Sequence, residues 1–195
     1  MEENKTDRRI RKTKAQLLQS LMTLMLEKDI KDISVKELSD LADINRGTFY
    51  LHYRDVYDML SQVEDALFQE FNGILDKNFP PGSSSSLHFV LEDIFSFLDA
   101  NRMIARILLG PHGDLAFVNR MKEMVRQRLI CLQTQDAPLS DSFDYYYAFI
   151  TSGCIGLIQS WLNRESPEPP DRIVSLVEKM ILQGLSPILP PPVRA

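Results

Sequence analysis

The stretch Ser34–Leu60, SVKELSDLADINRGTFYLHYRDVYDML, decides the fold. Ser34 with Glu37 three residues on is a helix-start signature, because the hydroxyl accepts an N–H that the new helix leaves open and the carboxylate can answer it. A short helix over 35–42 follows. Asp43, Ile44 and Asn45 then make a three-residue turn, and Asn45 is placed to cap a second short helix reaching about Tyr53. Asp55 caps a long helix over 56–78, with Asp58 in its first turn. Helices of about eight residues are not stable alone, so the two short ones must lean on neighbours. At 100° per residue Phe49 and Tyr53 share one face, suited to packing with Val35, Leu38, Ala42 and Ile44, while Gly47, Thr48, Tyr50 and Leu51 point away.

Working outward, the rest of the chain reads as helical too. The first proline is Pro80 and the first glycine Gly47, so nothing breaks a long helix over 6–28, whose apolar side carries Ile10, Leu17, Leu18, Leu21, Leu24 and Met25. The run FPPGSSSS at 79–86 is a loop, and further helices are expected near 87–99, 101–109, 114–134, 140–164 and 170–185. Apolar residues recur three and four apart, and period-two alternation is absent. The expectation is an all-α protein of about nine helices. Its N-terminal three-helix helix-turn-helix domain spans 1–55, joined by the long helix to a C-terminal helical domain over 56–195. A chain of 195 residues has room for both.

Charge separates these parts. The net charge is -5, yet between Lys5 and Lys14 six basic residues, Lys5, Arg8, Arg9, Arg11, Lys12 and Lys14, face only Asp7, whereas from Asp58 onward 17 acidic residues face 11 basic ones. A basic end on an acidic body suits a protein whose end meets phosphates. Other classes drop out. Cys131 and Cys154 make neither a disulfide framework nor a metal cluster and read as small core residues. No run approaches a spanning helix or a signal peptide, so the expectation is a cytoplasmic protein with no membrane partner. His52, His88 and His112 are dispersed, no HExxH, GxSxG, P-loop or GxGxxG occurs, and no catalytic residue, metal or cofactor is expected.

A helix-turn-helix lays its second helix in the major groove of DNA. Arg46 stands at the N-terminal end of that helix, where a guanidinium can grip guanine O6 and N7 together. Gly47 keeps no side chain between helix and DNA, Thr48 and Tyr50 offer hydroxyls, Leu51 an apolar surface, and His52 a donor to phosphate.

With these residues in hand, the chain over roughly 8–60 resembles the DNA-binding domain of the TetR/AcrR, or tetracycline-repressor, family, in which a G-T-F-Y-type recognition helix leads into a long connecting helix. The resemblance implies DNA contacts at Arg46, Gly47, Thr48, Tyr50 and His52, with backbone contacts at Ser34, Lys36 and the basic arm, including Arg8 and Lys12. The family pattern has glycine where Asp43 stands, and Asp tolerates the left-handed conformation that glycine would supply. It has a phosphate-touching lysine where Val56 stands, and Arg54 is the substitute.

For the C-terminal part, DYYYAFITSGCIGLIQSWLNR at 144–164 sets Gly153 and Gly156 three apart on an apolar helix. Two readings stand for it, an internal core helix or a homodimer face comprising Gly153, Ile155, Gly156, Ile158, Gln159 and Leu162. A single module reaches one half-site, so a palindromic operator asks for two copies. The stretch FLDANRMIARILLGPHGDLAFVNRM also resembles a Firmicute-type TetR-like C-terminal domain. That second resemblance implies that action through another protein is open. The TetR resemblance implies a ligand-binding and dimerisation domain over 56–195 with a cavity for a small apolar or amphipathic inducer, for which Phe68, Phe71, Phe95, Met103, His112, Phe117, Met121, Phe143, Tyr146, Phe149 and Trp161 are candidates, each more often a core residue. Two function classes follow. The first is a homodimeric regulator of transcription, a repressor released from double-stranded DNA by its inducer. The second is a TetR-like coregulator acting through a protein partner or ligand, with weak or no DNA binding.

Overall fold

The computed structural model describes residues 5–80, 86–131 and 141–183. The expected loop residues 81–85, the helix end past Cys131, the side chain of Cys131 and the chain beyond Gln183 lie outside them. Among the described residues there are nine α-helices and no strand, so the all-α class holds. The helices are α1 (Lys5–Met25), α2 (Val35–Leu41), α3 (Arg46–Tyr50), α4 (Val56–Asn78), α5 (Leu87–Ala100), α6 (Arg102–Leu108), α7 (Leu115–Cys131), α8 (Phe143–Leu162) and α9 (Pro170–Gln183), with one 3-10 turn at Ile30–Asp32. None of them is long and apolar enough to cross a membrane.

The chain forms two compact units. The first comprises residues 1–67 together with 107–115, and the second residues 68–106 and 116–195. In the first, Leu17, Leu21, Met22 and Met25 of α1 join Leu38, Phe49 and Met59 in a core where each is at most 2% exposed. Four of these recur at the helical spacing that builds one buried stripe. Ile10 does not share it and is 39% exposed. None of residues 7–16 is buried, so the basic start of α1 runs free of the core in solvent.

The helix starts follow the local chemistry. The Glu37 N–H donates to Ser34 Oγ at 3.2 Å, the Gly47 N–H to Asn45 Oδ1 at 2.7 Å and the Asp58 N–H to Asp55 Oδ1 at 2.8 Å. Ser34 and Glu37 form only half a capping box, since the Glu37 carboxylate takes Lys28 Nζ at 2.5 Å. At the end of α2, Asp43 has φ +53°, and the Ile44 and Asp43 N–H groups donate to Ser39 O and Asp40 O. These two bonds close the helix in the double-bonded manner that a left-handed residue permits. α3 runs to Tyr50, short of the Tyr53 its sequence suggests, and its last turn tightens where the His52 N–H bonds the Phe49 carbonyl three residues back at 2.9 Å, a carbonyl that also accepts the Tyr53 N–H at 3.0 Å.

Asp58 completes the start of α4 by accepting the Arg54 N–H at 2.9 Å and Arg54 Nη2 at 3.3 Å. The backbone bond is the main reason its carboxyl lies below the ordinary acid range, with the Arg54 and Gln62 side chains adding to it. A depressed acid stabilises the fold above its unfolded pKa, and that contribution is lost as pH falls through the folded value. Asp58→Asn is therefore expected to lower the melting temperature at pH 7, with the gap to wild type closing below about pH 4. Thermal melts between pH 7 and 3 check this, and a gap that persists unchanged at pH 3 contradicts it.

In the second unit Phe95 meets Trp161 edge-on at 5.3 Å, with Leu75, Leu162, Val174 and Val177 buried at 2% or less. The Arg102 guanidinium lies 4.6 Å over the Trp161 ring and donates to its carbonyl at 2.7 Å. α4 and α5 are tied by Lys77 and Asn78, both donating to the Asp93 carboxylate. α5 and α9 are tied by His88 and Glu178 at 2.9 Å. α4 and α7 are joined through Arg128, which donates to Asn72 and Asp76.

Candidate nucleic-acid interface

Phe49 is fully buried, with Tyr50 edge-on at 5.5 Å and Tyr53 at 5.6 Å, so the short α3 is held by one aromatic anchor. The opposite face is open. Arg46, the first residue of α3, is exposed, as is Gly47, while Tyr50 and Leu51 are 58% and 79% exposed. Thr48 and His52 are half-buried, and His52 leans edge-on toward Tyr53 at 6.3 Å. A Cβ at Gly47 would stand 3.2 Å from Asn45 Oδ1, tighter than an easy contact, so glycine serves the cap as well as the open face.

Around this face, the Ser34 oxygen is engaged in its cap and its O–H stays available to donate. Lys36, Arg8 and Lys12 are exposed. Val56 is buried at 5% exposure and cannot reach a phosphate, whereas the Arg54 side chain is 88% exposed beside Asp58. Sequence reasoning counted Lys14 with the basic arm. Its ammonium instead lies 5.6 Å over the Tyr53 ring, binding α1 to the chain just after α3. Lys28, passed over in the sequence, bridges to α2 through Glu37.

The inducer-cavity candidates divide between the two units. Phe71, Phe95, Phe117 and Trp161 are buried in the second unit, Phe68 is stacked by Arg120 at 3.9 Å, and Phe143 stacks on Tyr147 at 6.0 Å. Met121 is half-buried and Met103 37% exposed. His112 belongs to the first unit, where its Nδ1 lies 2.7 Å from Asp29 Oδ1.

Tyr146 and Phe149 are 63% and 75% exposed, on the stripe that continues through the exposed Gly153 and Gly156. A Cβ at either glycine would meet nothing within 4 Å. Of the other dimer-face candidates, Ile155, Ile158 and Gln159 are half-buried, and Leu162 is 2% exposed. The stripe of α8 is apolar and uncovered along its first four turns. Cys154 is half-buried, and burial raises its thiol pKa, which suits an inert residue.

Residues 85–183 match the family described as "Transcriptional regulator C-terminal region", TetR_C_8. The chain belongs to the TetR family of transcriptional regulators. TetR-family regulators bind DNA and form dimers. Among relatives is the "Uncharacterized HTH-type transcriptional regulator YxbF" of Bacillus subtilis strain 168, 23% identical over 177 residues. That match takes in 87% of this chain, and the chain spans only 44% of the curated relative's length. The TetR regulator of Streptococcus agalactiae 2603V aligns at TM-score 0.56 and 24% identity, over 90% of this chain and 97% of its own. The dihydroxyacetone kinase operon activator DhaS aligns at TM-score 0.55 and 17% identity, over 87% of this chain and 94% of its own. These two likenesses establish a shared TetR-family fold.

Proposed function

We propose that this TetR-family regulator is a homodimer that binds a palindromic operator through α3 and acts as a repressor, released when a small apolar or amphipathic molecule binds. One observation carries the reading. α3 spends Phe49 on the core and leaves Arg46, Gly47, Tyr50 and Leu51 exposed. In a major groove Arg46 reads guanine by two parallel N–H bonds, and Gly47 permits close approach. Ser34, Lys36, Arg54 and the arm residues Arg8 and Lys12 meet phosphates, setting register without reading sequence. The uncovered stripe through Tyr146, Phe149, Gly153 and Gly156 supplies the face for a second copy, because small residues let two helices approach closely and the aromatic rings beside them supply area.

The test is a binding titration on the protein's own promoter duplex across salt concentrations. Wild type is expected to give a steep negative log-log slope. Arg46→Ala should cost about 1–3 kcal/mol on the specific site and relax discrimination at one base pair per half-site, with melting unchanged. A flat, weak profile indifferent to Arg46→Ala would favour a coregulator that works through another macromolecule. A reporter under the bound promoter reads the sign of regulation, with expression rising when a repressor is removed.

A further inference from the structure

We infer that the second unit carries a binding site for a small carboxylate with a short apolar body. The site is a cleft of about 250 Å³ formed by the end of α8, the connection after it and the first two turns of α9. That volume lies at the small end of ligand sites. Leu157, Trp161, Ile173 and Leu176 supply its apolar lining. Trp161 and Ile173 are buried at 2% and 7% exposure while Leu176 is 42% exposed, so an apolar body can settle against covered side chains beneath an open rim.

Three charged side chains line the cleft, Arg164, Glu168 and Arg172, while the neighbouring Glu165 and Asp171 stand outside the lining. Arg164 is ion-paired with Glu168, which takes up the one carboxylate in the lining. Arg172 is exposed, and its side chain has no partner among the described residues. The charge left for a ligand is therefore positive. A guanidinium presents two parallel N–H groups in the shape that matches a carboxylate, and apolar walls strengthen the attraction relative to open water. Ser160 lines the cleft too. The hydroxyls of Thr151 and Ser175 donate to carbonyls of their own helices, whereas the Ser160 hydroxyl is engaged by no described residue and can donate to an anion.

The wall of the cleft is fixed by the chain itself. In the connection from α8 to α9, the Trp161 Nε1–H donates to the Glu168 carbonyl at 2.9 Å and Arg106 Nε to Asn163 Oδ1 at 3.0 Å. The Arg172 N–H donates to the Pro169 carbonyl at 3.0 Å. Pro167, Pro169 and Pro170 lock three backbone φ angles over the same stretch. A wall that is already formed spares the ligand an ordering cost.

Use of the cleft by an inducer rests on the function proposed above. Binding itself does not, and is measured on the free protein. Hexanoate, 1-hexanol and hexylammonium, one chain with three head groups, are titrated by calorimetry and by the emission of Trp161, which lines the cleft and is the only tryptophan in the sequence. Hexanoate should bind at least tenfold more tightly than either of the others. Arg172→Gln should weaken hexanoate about tenfold, the scale of one lost charge-assisted pair, and leave 1-hexanol unchanged. Arg172→Lys should recover part of that loss, and Leu176→Ala should weaken hexanoate and 1-hexanol alike. Arg172 and Leu176 are both exposed, so these variants should melt as wild type does. Lys179→Gln, which removes the same charge from α9 outside the lining, should leave hexanoate binding unchanged. Equal affinity for the three probes, no saturable binding of hexanoate, or hexanoate binding indifferent to Arg172→Gln overturns the site. Loss of operator binding in the ligand-free wild type would instead overturn the regulator reading and leave this result standing.

Discussion

Phe49→Ala is expected to remove operator binding while leaving the second unit folded. Phe49 is fully buried, and deleting a buried phenyl ring costs about 3–5 kcal/mol through lost transfer energy and the cavity left behind. The loss falls on an element with no reserve. α3 has five residues, below the length at which a helix sustains itself, and Phe49 is its one buried residue. Tyr50 and Tyr53, which pack on the ring at 5.5 and 5.6 Å, lose their partner together. The check is hydrogen exchange at the α2 and α3 amides alongside operator titration. Protection in these helices should collapse while amides of α5 and α9 keep theirs. Phe49→Leu should recover part of the stability and of the DNA affinity. Arg46→Ala is the counterpart, intact in exchange and impaired in recognition. Unchanged protection and unchanged operator affinity in Phe49→Ala would contradict the role of this anchor.

Trp161→Ala is expected to be equally costly in the other unit, about 3–5 kcal/mol. The indole is 2% exposed, edge-on to Phe95 and capped by the Arg102 guanidinium, and its Nε1–H donates to the Glu168 carbonyl at 2.9 Å. This last bond ties the end of α8 to the connection that leads into α9. Removing the ring therefore opens a cavity and leaves a carbonyl without its donor. Trp161→Phe separates the two effects, since it keeps most of the apolar area and forfeits the hydrogen bond, a loss of about 1–2 kcal/mol. Urea unfolding followed by circular dichroism reads both variants. Trp161 is the only tryptophan in the sequence, so in wild type its fluorescence reports this core directly. A midpoint for Trp161→Ala within a few tenths molar of wild type would contradict its central place. Because the exposed stripe of α8 runs toward the same helix end, the variant should also weaken self-association at low concentration, measurable by sedimentation.

Much of the structure was legible because it is local. Ser34, Asn45 and Asp55 accept N–H groups two or three residues ahead, and Asp43 adopts positive φ where a turn needs it, all within a few residues of chain. The outward face of α3 was legible for the same reason, since a 100° step fixes which residues oppose Phe49. The candidate cavity was less so. Apolar and aromatic residues look alike in a sequence whether they fill a core or stay outside it, and Phe95 at 1% and Tyr146 at 63% exposure show both outcomes.

The sequence by itself determined the all-α class, the positions of the helix starts and the turn that aims α3, because backbone hydrogen bonding and side-chain periodicity act over one or two turns. Only the tertiary structure decided that residues 107–115 join the first unit, that Lys14 covers Tyr53 and that Tyr146 and Phe149 lie outside this chain's own core. Those outcomes depend on which surfaces meet across tens of residues of chain, and burial against a distant partner leaves no period in the sequence to read.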